Sequence, residues 1–121
     1  MDKLLTNNPL AIRLFVDVFD VEFHEGSAKD VLVAARDYVH QGHGLLTHPL
    51  ASSIPLKDTP FRSLLVSERP ASLDVAAVGL IESAIERYSQ VNAQNREIPQ
   101  NIADDFMAID CDMIASRKSK K

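Results

Sequence analysis

Polar side chains suited to ligand binding follow three short apolar runs of this sequence, in segments 6–9, 24–27 and 47–49. The first and third segments resemble each other, and each ends in proline. If the runs are parallel strands, their carboxyl ends meet at one edge of a sheet, where open α/β proteins bind ligands. The candidate ligand-binding residues at this edge are Asn7, Asn8, His24, Ser27, His48, Ser52 and Ser53.

A small anion is the ligand that this edge favours. Ser27 is predicted to cap a helix, and Pro9 is predicted to open another, so backbone N–H groups there carry the positive end of a helix dipole. We hypothesise that a small anion such as an amino-acid carboxylate binds between Asn8, Ser27 and His48. The alternative is that these asparagine, serine, glycine and proline residues only form turns and caps.

Other chemistry has weaker support in the sequence. The four histidines lie between His24 and His48, but their spacing is not that of a zinc site, and we predict no bound metal. Ser52 and Ser53 follow His48 without the Gly-x-Ser-x-Gly pattern of a hydrolase nucleophile. The Gly-x-Gly at Gly42 precedes a strand, so it is not a dinucleotide fingerprint. We assign no cofactor and leave open whether the protein is an enzyme.

The single cysteine, Cys111, stands between two aspartates, and their charges predict a raised thiol pKa and low reactivity. A lone cysteine also excludes electron transfer through an internal dithiol. The four aspartates at 104, 105, 110 and 112 are interpreted as a solvated helix face, because their spacing is not that of a calcium loop.

Alternating elements must position these residues. Strands are predicted at 3–6, 20–24, 45–47 and 62–67, where short apolar runs end in turn signals. Helices are predicted to begin at Pro9, at a capping box of Ser27 and Asp30, and after Ser72, and a last helix covers 102–113. The second of these helices is predicted to end at Gly42 with a left-handed stop. Strand–helix alternation predicts a small three-layer α/β fold, with a mostly parallel sheet of about four strands and helices on both faces.

Length and charge limit the class of protein. The 121 residues predict one α/β domain over 1–116 and a basic, frayed tail over 117–121. Residues 1–116 carry nine basic and 17 acidic side chains, a formal charge of −8, which excludes nucleic acid as the main partner. Without a signal sequence or membrane span, we expect a cytoplasmic protein. The apolar helix after Ser72 leaves room for a homodimer.

The chain resembles the GrdX family, small bacterial proteins named for gene clusters that encode glycine, sarcosine or betaine reductase. The resemblance lies in segments 5–10, 25–27, 36–43, 45–50 and 58–63, which together span about half of the chain. The Phe-Arg pair at 61–62 is a conservative departure from a Tyr-Lys pair. The family has no established activity, so the resemblance implies an association with selenium-dependent amino-acid reduction and supplies no catalytic residues. The same association suggests an acyl phosphate as the anion bound between Asn8, Ser27 and His48.

Two functions follow as expectations. The first is an accessory or regulatory protein that binds components of the reductase system. The second is a small enzyme or small-molecule sensor, which predicts a pocket at the carboxyl ends of the strands.

Overall fold

The computed structural model describes residues 1–49, 59–90 and 99–118. Three strands and four helices follow one another along these residues: β1 (Lys3–Thr6), α1 (Pro9–Phe15), β2 (Asp20–Phe23), α2 (Ala28–His40), β3 (Ser63–Val66), α3 (Val75–Gln90) and α4 (Gln100–Lys118). Helix α4 therefore enters the segment predicted as a tail. None of the described helices has both the length and the apolar content needed to cross a membrane.

The sheet has the order β2-β1-β3. Strand β1 pairs in parallel with β2 and antiparallel with β3, with Thr6 opposite both Phe23 and Ser63. The predicted strand at 45–47 contributes only an isolated antiparallel bridge between Leu45 and Val66. A mostly parallel sheet of about four strands is therefore not confirmed. The sequence between 47 and 62 has no helical pattern, and neighbouring strands joined without a helical crossover pair antiparallel.

Two apolar cores lie on opposite faces of the sheet, as the three-layer prediction requires. Alternation along β1 sends Leu5 to one face and Leu4 to the other. Leu5 packs with α2 and α3, through residues such as Leu32 and Ile81. Leu4 packs with α1 and α4, through Phe15 and Ile114 among others. Helix α4 therefore covers the face on which Thr6 also lies.

Local signals set the helix ends. Asn8 is the N-cap of α1, and its side-chain oxygen accepts from the backbone N–H of Leu10. Ser27 and Asp30 form the capping box predicted for α2. Gly42 follows that helix with a φ of 105°, which confirms the predicted left-handed stop. The Asp74 carboxylate, rather than Ser72, accepts from the Ala77 N–H at the start of α3.

Candidate functional site

The carboxyl end of β1 carries a group of five polar residues, here called the strand-end cluster: Thr6, Asn7, Asn8, Ser63 and Asp110. Four of them bond to one another, whereas Asn7 bonds to the adjacent loops. Strand β1 leads directly into the two asparagines. Because β3 runs antiparallel to β1, its first residue, Ser63, lies at the same edge. Helix α4 brings Asp110 to this edge from the far end of the chain. The cluster thus joins three elements that are distant in sequence.

Asn8 is the fully buried centre of this cluster. Its amide nitrogen donates to the backbone carbonyl of Met107 and to the Asp110 carboxylate, each at 2.9 Å. Its amide oxygen accepts from the Leu10 N–H at 3.0 Å. One side chain therefore caps α1 and holds α4 in place.

A directional chain of hydrogen bonds ends on Asp110. The backbone N–H of Asn8 donates to the Thr6 hydroxyl at 2.9 Å, and the Thr6 and Ser63 hydroxyl oxygens lie 2.7 Å apart. Ser63 donates to Asp110 Oδ2 at 2.6 Å. Thr6 must then donate to Ser63, so each bond polarises the next toward the carboxylate.

Asn7 forms hydrogen bonds to the backbone of two neighbouring loops. Its amide nitrogen donates to the carbonyls of Pro60 at 2.8 Å and Gly26 at 3.1 Å. Its amide oxygen accepts from the backbone N–H of Arg62 at 2.8 Å. Asn7 thereby fixes the segment before β3 and the loop between β2 and α2.

Two ionisable groups of opposite charge lie at this edge, the buried Arg62 and the half-buried Asp110. Burial raises the pKa of the Asp110 carboxyl, although hydrogen bonds from Ser63 and Asn8 and the charge of Arg62 oppose the shift. Burial lowers the pKa of the Arg62 guanidinium, and the charge of Asp110 opposes that change. Arg62 is 2% exposed and interacts electrostatically with Tyr88 of α3. A cation and a carboxylate therefore share a poorly solvated region.

The raised pKa of Asp110 predicts a pH dependence of stability. A folded-state pKa above the unfolded value of 3.8 means that the folded chain binds the proton more tightly. The free energy of unfolding therefore falls as pH rises from about 3.8 through the folded pKa. Asp110→Asn removes this ionisation, and we expect the variant to gain stability relative to wild type as pH rises through that window. Urea unfolding at several pH values measures this, and parallel pH profiles would contradict it.

Cys111 lies beside the cluster and is 2% exposed. Burial, with the charges of Asp110 and Asp112, raises the pKa of its thiol to about 12, which confirms the predicted direction. We expect iodoacetamide at about pH 8 to label the folded chain far more slowly than the chain in guanidinium, because the thiolate is the nucleophile. Equal labelling rates in both states would contradict this.

A second polar group, here called the edge cluster, consists of Lys3, Glu22, His24 and Tyr38. The Glu22 carboxylate accepts from the Tyr38 hydroxyl at 2.5 Å and lies 2.6 Å from His24 Nε2. Lys3 Nζ lies 3.8 Å from Glu22 and 5.4 Å from the centre of the Tyr38 ring. The hydrogen bond to Glu22 raises the pKa of Tyr38. This cluster attaches α2 to β2, one of the two outer strands of the described sheet.

Comparison with models of known protein families gives a match. The family model described as GrdX-like protein matches residues 3–118, nearly the whole chain. The chain belongs to the GrdX-like protein family. This confirms the resemblance. No curated protein and no solved structure matches the chain.

In this GrdX-like protein the predicted ligand-binding residues occupy different environments. Asn7 and Asn8 are buried in the strand-end cluster, whereas His24 pairs with Glu22 in the edge cluster. Ser27 is exposed and bonded to Asp30, whose carboxylate accepts from the Ser27 N–H at 2.9 Å, so the start of α2 already holds a negative charge. His48 is exposed. Ser52 and Ser53 lie outside the described residues, and ligand binding at the seven positions stays a prediction.

The interpretation of Asp110 as part of a solvated face is wrong, because its carboxylate bonds to Asn8 and Ser63. Sequence reasoning also missed Ser63, Arg62 and Tyr38 as members of polar groups. The position of Asp110 between the apolar residues Ile109 and Cys111 was the sequence signal that could have indicated its burial. Among the described residues, no group of three or more histidine, cysteine, aspartate and glutamate side chains could hold a metal ion.

Proposed function

We propose that this GrdX-like protein is a cytoplasmic accessory or regulatory protein that binds a component of a glycine, sarcosine or betaine reductase system. Family membership over residues 3–118 carries the proposal. The family takes its name from the gene clusters that encode these reductases, and proteins encoded together commonly act on the same complex.

The hydrogen bonds of the strand-end cluster support a role in binding rather than catalysis, because they lie within the protein itself. Asn7, Asn8, Thr6 and Ser63 direct their polar atoms to backbone groups and to one another, which builds a rigid scaffold. Large apolar side chains remain at the surface, and such side chains contribute to protein–protein contacts when they lie together. Among the described residues they include Leu14, Val16, Phe23, Leu73, Val75, Leu80 and Ile102.

The test uses purified reductase components and the full chain. Each component is passed over immobilised chain, and the same chain in solution serves as competitor. We expect saturable binding to at least one component that the competitor displaces. Single lysine substitutions at the exposed apolar positions then map the surface, and a partner contact should weaken binding at least tenfold. Absence of binding to every component of the three reductases would overturn the proposal.

A second candidate function is a small-anion sensor, or a small enzyme, at the strand-end edge. The buried guanidinium of Arg62 favours it, because a cation in a poorly solvated region attracts an anion strongly. Asn7 accepts from the backbone N–H of Arg62, which fixes the point on the backbone from which this side chain extends.

Amide chemical shifts distinguish this candidate from the first. Sulfate, acetyl phosphate and glycine are titrated into the isotope-labelled chain, with sodium chloride as the ionic-strength control. A sensor requires saturable shifts at Asn8, Gly26 and Arg62. Shifts that are scattered over the surface, or that sodium chloride reproduces, would contradict it.

A further inference from the structure

The outer edge of β2 carries backbone groups that point away from the sheet. Asp20 N donates to the Asp2 carbonyl at 2.9 Å, and His24 N donates to the Thr6 carbonyl at 2.8 Å. Alternate residues of a parallel strand bond to the same neighbour, so the N–H and C=O groups of Val21 and Phe23 face outward. Within 1–49, 59–90 and 99–118, no strand pairs with this edge.

The surroundings of β2 leave room for another strand. Helix α1 packs against β2, whereas α2 packs over β1 and β3. An open groove of about 510 Å³ lies along β2, and Val16, Phe19, Val21 and Phe23 are among the residues that line it. The Phe23 side chain is 40% exposed, a high value for an aromatic residue of a strand.

We propose that two copies of this chain associate by antiparallel pairing of their β2 edges, about a two-fold axis at Phe23. An unpaired edge is a template for another strand, and a two-fold axis makes the same edge self-complementary. The product is one continuous sheet of six strands. This inference does not rest on the proposed function.

Charge complementarity selects the register. The outward groups of Val21 and Phe23 allow three two-fold registers. Val21 opposite the partner's Val21 places Asp20 against the partner's Glu22. Val21 opposite the partner's Phe23 places Glu22 against the partner's Glu22. Both oppose like charges, which destabilises antiparallel pairs.

The third register places Phe23 opposite the partner's Phe23 and Glu22 opposite the partner's His24. Within each chain, Glu22 Oε2 already lies 2.6 Å from His24 Nε2, so acidic and imidazole groups alternate across the interface. On the other face of the strand, the two phenylalanine rings meet at the axis, and aromatic pairs favour cross-strand association. The charged face of β2 therefore selects this register, and the pairing of the phenylalanine rings is compatible with it.

Sedimentation analysis of the full chain tests the association. We expect a monomer–dimer equilibrium, and we expect Phe23→Lys to raise its dissociation constant at least tenfold, because two like charges would meet at the axis. Leu80→Lys is the matched control, since Leu80 is 36% exposed on α3, and its equilibrium should match wild type. Circular dichroism verifies that both variants fold. A wild-type monomer at all concentrations, or a dimer insensitive to Phe23→Lys, would overturn the proposal.

Cysteine cross-linking tests the register. In the proposed dimer the Cα atoms of residue 23 in the two copies lie about 5.5 Å apart, within disulfide range. Those of residue 21 lie roughly 13 Å apart, because four strand residues separate them along the sheet. Phe23→Cys should form a dimer under mild oxidation, and Val21→Cys should not. Cross-linking at position 21 but not at position 23 would exclude this register.

Discussion

Replacing Asn8 with alanine is expected to lower the free energy of unfolding by about 3–4 kcal/mol. Loss of the N-cap of α1 contributes about 1 kcal/mol. The remainder comes from the Met107 carbonyl and the Asp110 carboxylate, which lose a buried donor. Each loss should cost about 1–1.5 kcal/mol, the low end of the range for an unsatisfied group, because Asp110 keeps its bond from Ser63. Small domains have a total stability of about 5–15 kcal/mol, so this change is a large fraction of it. Urea unfolding followed by circular dichroism measures the effect.

Two further variants separate the roles of Asn8. Ser27→Ala removes an exposed N-cap on α2 and should cost only about 1 kcal/mol. Asn8→Ser keeps an acceptor for the cap and deletes the amide donor, so its stability should lie between wild type and Asn8→Ala. Equal losses for Asn8→Ala and Ser27→Ala would show that the bonds to Met107 and Asp110 contribute little. That result would contradict a structural function for the strand-end cluster.

Features that depend on neighbouring residues could be predicted from the sequence. The box of Ser27 and Asp30 and the glycine stop at Gly42 both appear where expected, because their hydrogen bonds join residues close in the chain. Strand β1 has the predicted bounds for the same reason, since an apolar run followed by Asn-Asn-Pro defines its end. Local stereochemistry therefore determines these element ends.

The direction of β3 and the partners of Asp110 depend on distant residues. A run such as Leu64-Leu65-Val66 has the same apolar pattern in a parallel or an antiparallel strand, so periodicity does not determine pairing. Asp110 meets Asn8 across about 100 residues of chain, and its burial follows from how α4 packs on the sheet. The contact between Glu22 and His24 in the edge cluster was easier to predict from the sequence. Residues two apart in a strand point to the same face, so these two side chains are neighbours.

The second large effect is expected at Gly42. Its φ of 105° is one that residues with a side chain rarely adopt, and a Cβ atom there would lie 2.3 Å from the Ala71 carbonyl oxygen. The Ala71 N–H donates to the Gly42 carbonyl at 2.9 Å, so this close approach joins the end of α2 to the segment before α3. We expect Gly42→Ala to lower the free energy of unfolding by about 3 kcal/mol, because the backbone strain alone costs roughly 1–3 kcal/mol and the clash adds to it.

Gly79→Ala is the control for this variant, since it makes the same chemical change within α3. Apart from the backbone of α3 itself, no heavy atom of the described residues lies within 4 Å of a Cβ at Gly79, so alanine should stabilise the helix by about 0.5–1 kcal/mol. The two variants should therefore shift the urea midpoint in opposite directions. Hydrogen exchange at Ala71 adds a local measurement, because displacement of Gly42 breaks the bond that protects this amide. If Gly42→Ala left the free energy of unfolding unchanged and the Ala71 amide still exchanged slowly, α2 could end there without a glycine. That result would contradict this prediction.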